Sequence, residues 1–263
     1  EHEDVIVGMK TAHYSGPEWI SVDRMLEAGR ALGKPSMVDF GLFPRQRPYY
    51  ELVTQRMSAG DITTHMFLGD VPWIGPDGKV LRYLYEARER GIIFDVGHGG
   101  GSFYWRNAVP AIEHGFYPDS ISTDLHTWCM NDEMQDMTNV MSKFLAIGMP
   151  LEEIIRESTV NPAREIGHPE LGHLSIGAVA DVTALNVLEG DFAYLDVRQG
   201  RVEAKQRLRC ELTFLEGELK WDWNGRTGTD WRELPESYGI RNPEPQYTGP
   251  KGNSGNQNPI PWK

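Results

Sequence analysis

The strongest constraint on the fold is a repeat of register rather than of residues. Short apolar runs of β character alternate with helical stretches, and each run carries one ionisable residue in or just past its carboxy-terminal half. These residues are Lys10, Asp39, His65, His98 and Asp124, spaced 29, 26, 33 and 26 apart. One βα unit of a closed barrel takes roughly 30 residues. Strands are expected at Val5–Met9, Ser36–Phe40, Asp61–Phe67, Ile92–Val96 and Ser120–Leu125. Helices are expected at Pro17–Leu32, Pro48–Met57, Leu81–Arg90, Phe103–His114, Asp132–Ile147 and Leu151–Ser158, from their 3.6-residue apolar period and closing residues such as Gly33. Alternation of this kind predicts a mainly parallel α/β sheet. On pattern alone, a doubly wound sheet and a partial (β/α)8 barrel both satisfy it.

The polar ladder matters because it puts one ionisable group at the same end of each strand. A lysine, two aspartates and two histidines buried together are costly unless something compensates them. A bound cation removes that cost, since carboxylates and imidazoles coordinate it directly. Lys10 requires a separate reason, because an ammonium group only donates. Desolvation beside cations would lower its pKa, and the free amine could take up carbon dioxide to form an anionic carbamate.

The rest of the chain narrows the class. The net charge of -12 makes nucleic acid a poor partner and argues against anionic lipid surfaces. No run of 18 apolar residues occurs, so no membrane span is expected. Cys129 and Cys210 form no CxxC or disulfide framework and give no compartment; cytoplasm and periplasm both stay open. Met130, Met134, Met137 and Met141 fall on one helical stripe and read as core filling. Beyond Gly172 the pattern shifts to short alternating runs at Val182–Leu185, Tyr194–Arg198, Arg201–Glu203 and Leu212–Leu215, with Gly200 and Gly217 at turns. The expected organisation is therefore an α/β portion over residues 1–168, a small β domain over 169–222 and an irregular tail over 223–263. His98-Gly99-Gly100-Gly101 has the look of a lipase oxyanion loop, but no G-x-S-x-G accompanies it, and no G-K-[ST] follows to make a phosphate loop.

Several segments together resemble the amidohydrolase superfamily, in particular its dihydroorotase-like deacetylases. They are Gly8-Met9-Lys10, Asp61-Ile62-Thr63-Thr64-His65, the stretch from Phe94 through His98-Gly99-Gly100-Gly101 to Phe103, and Ile121-Ser122-Thr123-Asp124-Leu125-His126. Ser158-Thr159-Val160-Asn161-Pro162-Ala163 and the stretch from Gly172 to Asp181 resemble the superfamily's exit from its barrel into a small β domain. The likeness covers roughly residues 5–220.

The resemblance implies strands four to eight of a TIM-type barrel. Lys10 would be a carboxylated lysine bridging two divalent ions, usually zinc. His65 would ligate one ion, and Asp124 would ligate the other and shuttle the proton. His98, with Gly99 and Gly100, would contact substrate, a small N-acyl or O-acyl compound split at its amide or ester bond. Two departures stand out. Asp39 occupies the place of a metal-binding histidine, which would admit Mn or Fe or weaken the second ion's site. The His-x-His pair of the first strand is absent, and neither His2 nor His13 supplies it. Open barrel edges are disfavoured, and the chain starts at Glu1 without an initiator Met; missing upstream sequence is therefore expected. The rival expectation is a truncated, metal-poor, inactive relic or scaffold of the same fold. A homo-oligomer is left open.

Overall fold

The computed structural model describes residues 2, 5–40 and 46–239. Four parallel strands form the first sheet: β1 (Met9–Thr11), β2 (Ser36–Asp39), β3 (Ile62–Thr64) and β4 (Ile93–Phe94). Between them lie helix α1 (Ile20–Leu32), the short α2 (Tyr49–Glu51) running into a π turn at Leu52–Arg56, and α3 (Arg82–Glu89). Helices α4 (Trp105–Glu113), α5 (Met137–Ala146), α6 (Leu151–Ser158) and α7 (Val160–Glu165) follow. The strand order β1-β2-β3-β4 runs in sequence without reversal. A doubly wound sheet would reverse at a switch point. The fold is thus α/β, a partial (β/α) barrel followed by a small antiparallel sheet.

Strand limits differ from the sequence expectation for local reasons. The first strand begins at Met9, not Val5, because Val5 and Ile6 turn back to donate to the His2 carbonyl. The expected fifth strand at Ser120–Leu125 survives as a single bridge, Asp95 to Ser120. It still continues the sheet: His98 N–H donates to Ser122 O (3.2 Å) and Gly99 N–H to Thr123 O (2.8 Å). Positive φ at Gly97, Gly99 and Asp124 (48°, 51° and 48°) breaks the pleat here. Helix α5 starts five residues later than expected. Gln135 adopts φ 58° and Asp136 then caps the helix by accepting from Asn139 N–H. Met130 and Met134 consequently lie outside the helix, although Met134 and Met141 are buried as core.

The second sheet joins β5 (Val182–Leu195), β6 (Arg201–Leu215) and β7 (Glu218–Asp222). Its first two strands are far longer than the fragments legible in the sequence. Register shifts at Ala184/Leu185 and Glu189/Phe192 interrupt the alternation that marks a strand. The β5–β6 turn is tied by Asp196, whose Oδ1 accepts from Arg198 and Gly200 N–H. A side chain at Gly200 would lie 2.8 Å from that carboxylate. Tyr194, Ala204 and Leu208 join the core cluster of the barrel portion, and Trp105 donates from Nε1 to Gly200 O (2.9 Å). The described residues up to Trp223 accordingly belong to one compact unit that holds both sheets, and residues 224–239 belong to another. The latter contains a 3-10 turn at Trp231–Glu233; its last residues, 240–263 of the expected irregular tail, lie outside the described residues. No helix among the described residues is long and apolar enough to cross a membrane.

Candidate active site

Asp39 is the hub at the carboxy-terminal end of the parallel sheet. Its side chain is 3% exposed, yet three nitrogens surround it. His65 Nε2 lies 3.2 Å from Oδ1, His13 Nε2 lies 3.4 Å from Oδ2, and Lys10 Nζ lies 3.8 Å from Oδ2. Strands β1, β2 and β3 are adjacent, so residues at their ends fall side by side. Lys10, Asp39 and His65 are therefore brought together by the ladder seen in the sequence.

His65 is oriented from behind. Its Nδ1 is 2.5 Å from the carbonyl oxygen of Gly97, which can only accept, so Nδ1 carries the proton. In its neutral form the ring directs the Nε2 lone pair towards Asp39 Oδ1; in its charged form Nε2–H donates there, across 3.2 Å. Burial disfavours the charged ring, but the Asp39 bond and charge, the Gly97 carbonyl and the more distant Asp124 outweigh it. The net effect holds the His65 pKa above the ordinary imidazole value.

The glycine loop follows from close packing. A Cβ on Gly97 would lie 2.1 Å from Thr64 Oγ1 and 2.8 Å from His65 Nδ1; one on Gly99 would lie 2.7 Å from Asp124 Oδ2. Only glycine admits these approaches at the observed positive φ. Asp39, His65, His13 and Asp124 share the wall of one cavity of about 410 Å³ with Gly100 and His126. Three non-glycine residues on that wall, His13, His65 and Asp124, hold left-handed φ of 56°, 61° and 48°. Such conformations cost about 1–3 kcal/mol each and cluster at functional sites. A larger hollow of about 490 Å³ beside Leu145 and Ala146 contains no imidazole.

Two expected substrate contacts sit elsewhere. His98 is fully buried and is not part of the cavity wall. Its ring stacks on Phe103 with centroids 4.6 Å apart, Nδ1 is 2.8 Å from Gly99 O, and Nε2 is 2.6 Å from Lys143 Nζ. Burial and then the Lys143 charge push its pKa down to about 3, so the ring is neutral. Gly99 N–H is already bonded to Thr123 O, which removes it as an oxyanion donor. Gly100 does line the cavity. The sequence reading missed His13, His126, Trp128, Asp132 and Glu133 as wall residues. They come from connecting loops, and nothing in strand phase marks them. Trp128 is 89% exposed at the mouth, on a turn tied by Cys129, whose Sγ accepts from His126 N–H at 3.3 Å.

The site offers part of a donor set for the divalent ion implied by the resemblance. Among the described residues no three His, Cys, Asp or Glu side chains already meet at one metal-sized point. Asp39 Oδ1 and His65 Nε2 do meet the requirement for two ligands. Their 3.2 Å separation matches a tetrahedral edge of about 3.3 Å, calculated from metal–ligand bonds of roughly 2.0–2.1 Å. Two lone pairs facing at that distance require a proton or a cation between them. Lys10, with its side chain 46% exposed, stands beside the pair, its Nζ 3.8 Å from Asp39 Oδ2.

No family model matches the chain. A deacetylase of Brucella anthropi is 35% identical over 208 residues, covering 77% of this chain and 51% of that protein. A deacetylase of Agrobacterium fabrum is 33% identical over 213 residues, covering 79% and 51%. The chain thus spans about half the length of the curated relatives it matches. Among solved structures, an adenine deaminase superposes with a TM-score of 0.75 at 26% identity, over 82% of this chain and 60% of that one. A dihydroorotase superposes with a TM-score of 0.73 at 30% identity, over 84% and 58%.

Proposed function

The chain belongs to the amidohydrolase superfamily, and from that premise we propose that the Asp39–His65–Asp124 cavity is the active site of a metal-dependent hydrolase. Its substrate is a small N-acyl or O-acyl compound, and the bond broken is the amide or ester. One observation carries the reading: a buried carboxylate and an imidazole face each other at 3.2 Å on a cavity whose wall also holds Asp124.

Asp39 Oδ1 and His65 Nε2 would hold a divalent ion, zinc by the donor types, with Mn or Fe admitted by the carboxylate. Such an ion, when bound, supplies a water acidic enough to attack at neutral pH and polarises the acyl carbonyl. Asp124 takes the proton released from water and returns it to the leaving nitrogen or oxygen. In the resemblance Asp124 and a carboxylated Lys10 are also ligands, and both stand at the same end of the sheet as Asp39. Gly100 and Gly101 on the cavity wall face the acyl group, and Trp128 at the mouth offers an apolar surface to its substituent.

The deacetylase names of the relatives favour an acetyl group over other acyls. A second reading is the inactive, metal-poor scaffold of the same fold, favoured by the half-exposed Lys10 and the absence of a converged ligand triad among the described residues. Metal analysis of the purified chain, coupled to hydrolysis of a panel of N-acetyl and O-acetyl compounds, separates them. We expect bound zinc and turnover that Asp124→Asn reduces by about 10²–10⁴-fold, the usual worth of a positioned acid–base group. A folded chain that takes up no metal and cleaves none of the panel overturns the proposal in favour of the scaffold.

A further inference from the structure

We propose that Asp95 is a positioning residue, which sets the direction of the His65 imidazole through Ser122 and the backbone of Gly97. Asp95 lies at the end of β4, 3% exposed, beneath the site rather than in its wall. Its carboxylate accepts three hydroxyl bonds: Thr64 Oγ1 at 2.5 Å and Ser122 Oγ at 2.8 Å on Oδ2, and Ser120 Oγ at 2.9 Å on Oδ1. The arrangement has a direction. A serine hydroxyl has one proton, and Ser122 commits it to Asp95. The Ser122 lone pairs are then turned to accept from Gly97 N–H, at 3.0 Å. Gly97 is thereby pinned, and its carbonyl oxygen meets His65 Nδ1 at 2.5 Å. Asp95 thus reaches His65 through a relay of three hydrogen bonds.

The backbone reinforces the same geometry. Asp95 N–H donates to Thr63 O (2.9 Å), and Asp95 O accepts from Met66 N–H (3.2 Å), bracketing His65 on both sides. Thr64, bonded to Asp95, precedes His65 directly. Ser122 stands two residues before Asp124, so one carboxylate ties together the two segments that present the site's imidazole and its acid–base group. Outer partners that fix a ligand's tautomer are commonly worth 10–100-fold in metal affinity. Ser120 provides an internal control. It also bonds Asp95, yet no hydrogen bond leads from it to Gly97.

The consequence for metal affinity rests on the proposed metal-site reading; the consequence for His65 itself does not. The test compares Ser122→Ala, Ser120→Ala and Asp95→Asn in the full chain. Nitrogen-15 NMR of the metal-free chain, at a pH where His65 is neutral, reads its tautomer, and chelator competition reads zinc affinity. The parent should show a single Nδ1–H tautomer. Ser122→Ala should mix the tautomers and weaken zinc by about tenfold, whereas Ser120→Ala leaves the tautomer unmixed and zinc affinity within about twofold. Thermal unfolding should fall further in Ser122→Ala, which loses both its bond to Asp95 and the one from Gly97 N–H, than in Ser120→Ala, so the tautomer and not the melting temperature is the deciding readout. Should Asp95→Asn fail to fold, the serine pair alone decides. A single tautomer retained in Ser122→Ala, or equal mixing in Ser120→Ala, overturns the proposal. A parent that binds no zinc but shows the pinned tautomer, mixed in Ser122→Ala, refutes the metal reading and supports the positioning role.

Discussion

Asp39 and Glu157 are both buried carboxylates, and their surroundings give them opposite characters. Asp39 sits among His65, His13 and Lys10, so its negative charge is met from three sides. Replacing it with Asn keeps the shape and removes the charge; zinc affinity should then fall by at least 10–100-fold, measured by chelator competition, because a ligand should matter no less than an outer partner. Glu157 has no comparable neighbour. It is 4% exposed, and its Oε2 has no hydrogen-bond partner among the described residues. Burial, then Asp119 and Glu153, raise its pKa from 4.5 to about 9 against the opposing pull of Arg88. The folded state therefore keeps a proton that the unfolded chain releases above 4.5, so this group's contribution to stability is complete below pH 4.5 and lost as pH rises towards 9. Glu157→Gln abolishes that slope. Its stability relative to the parent should rise by about 1–3 kcal/mol between pH 5 and pH 8 in denaturant titrations.

Helix α5 connects the site loop to the second sheet through one side chain. Lys143 is fully buried, and its Nζ donates to Leu195 O in β5 at 2.7 Å while meeting His98 Nε2 at 2.6 Å. Since His98 Nδ1–H is engaged with Gly99 O, its Nε2 must accept, and the lysine is the donor. Burial pushes the Lys143 amine down to about 7 despite Glu133 and Asp196, and a neutral amine still makes both bonds. Lys143→Met would remove the lysine donor from one buried acceptor, His98 Nε2, and one part-buried acceptor, Leu195 O, at up to about 1–3 kcal/mol each. We expect a loss of roughly 2–4 kcal/mol in urea unfolding, with reduced turnover as the Gly99–Gly101 loop loosens. Turnover at the parent level in a variant so destabilised would show that this helix supports only the fold.

At the scale of the molecule, the sheets of residues 1–223 share one core, so binding at the barrel end should be felt by the whole unit. A divalent ion that binds only the folded chain stabilises it by about 2.7 kcal/mol at a hundred times its dissociation constant. Chelation should lower the melting temperature and turnover together, and readdition of zinc should restore both. If chelation leaves the melting temperature and turnover unchanged, the proposed site is not a metal site.

Strand phase made the barrel portion legible, because a residue's place at a strand end depends only on its distance along the strand. Lys10, Asp39 and His65 could be foreseen as neighbours for that reason, as could the helices between them. The loop residues could not. His98 has the same phase as the others, yet it turns inward under Phe103, because the left-handed backbone at Gly97 and Gly99 redirects the chain just there. His13, His126 and Trp128 reach the cavity from loops whose course is set by remote contacts, such as Cys129 Sγ against His126 N–H. The long hairpin of β5 and β6 was hidden by its bulges. Periodicity is a local property written in the order of residues, so the alternating α/β architecture and the charge ladder follow from residue order alone. Which rings face the cavity and which face the core was decided only by tertiary packing, since that choice depends on atoms dozens of residues apart.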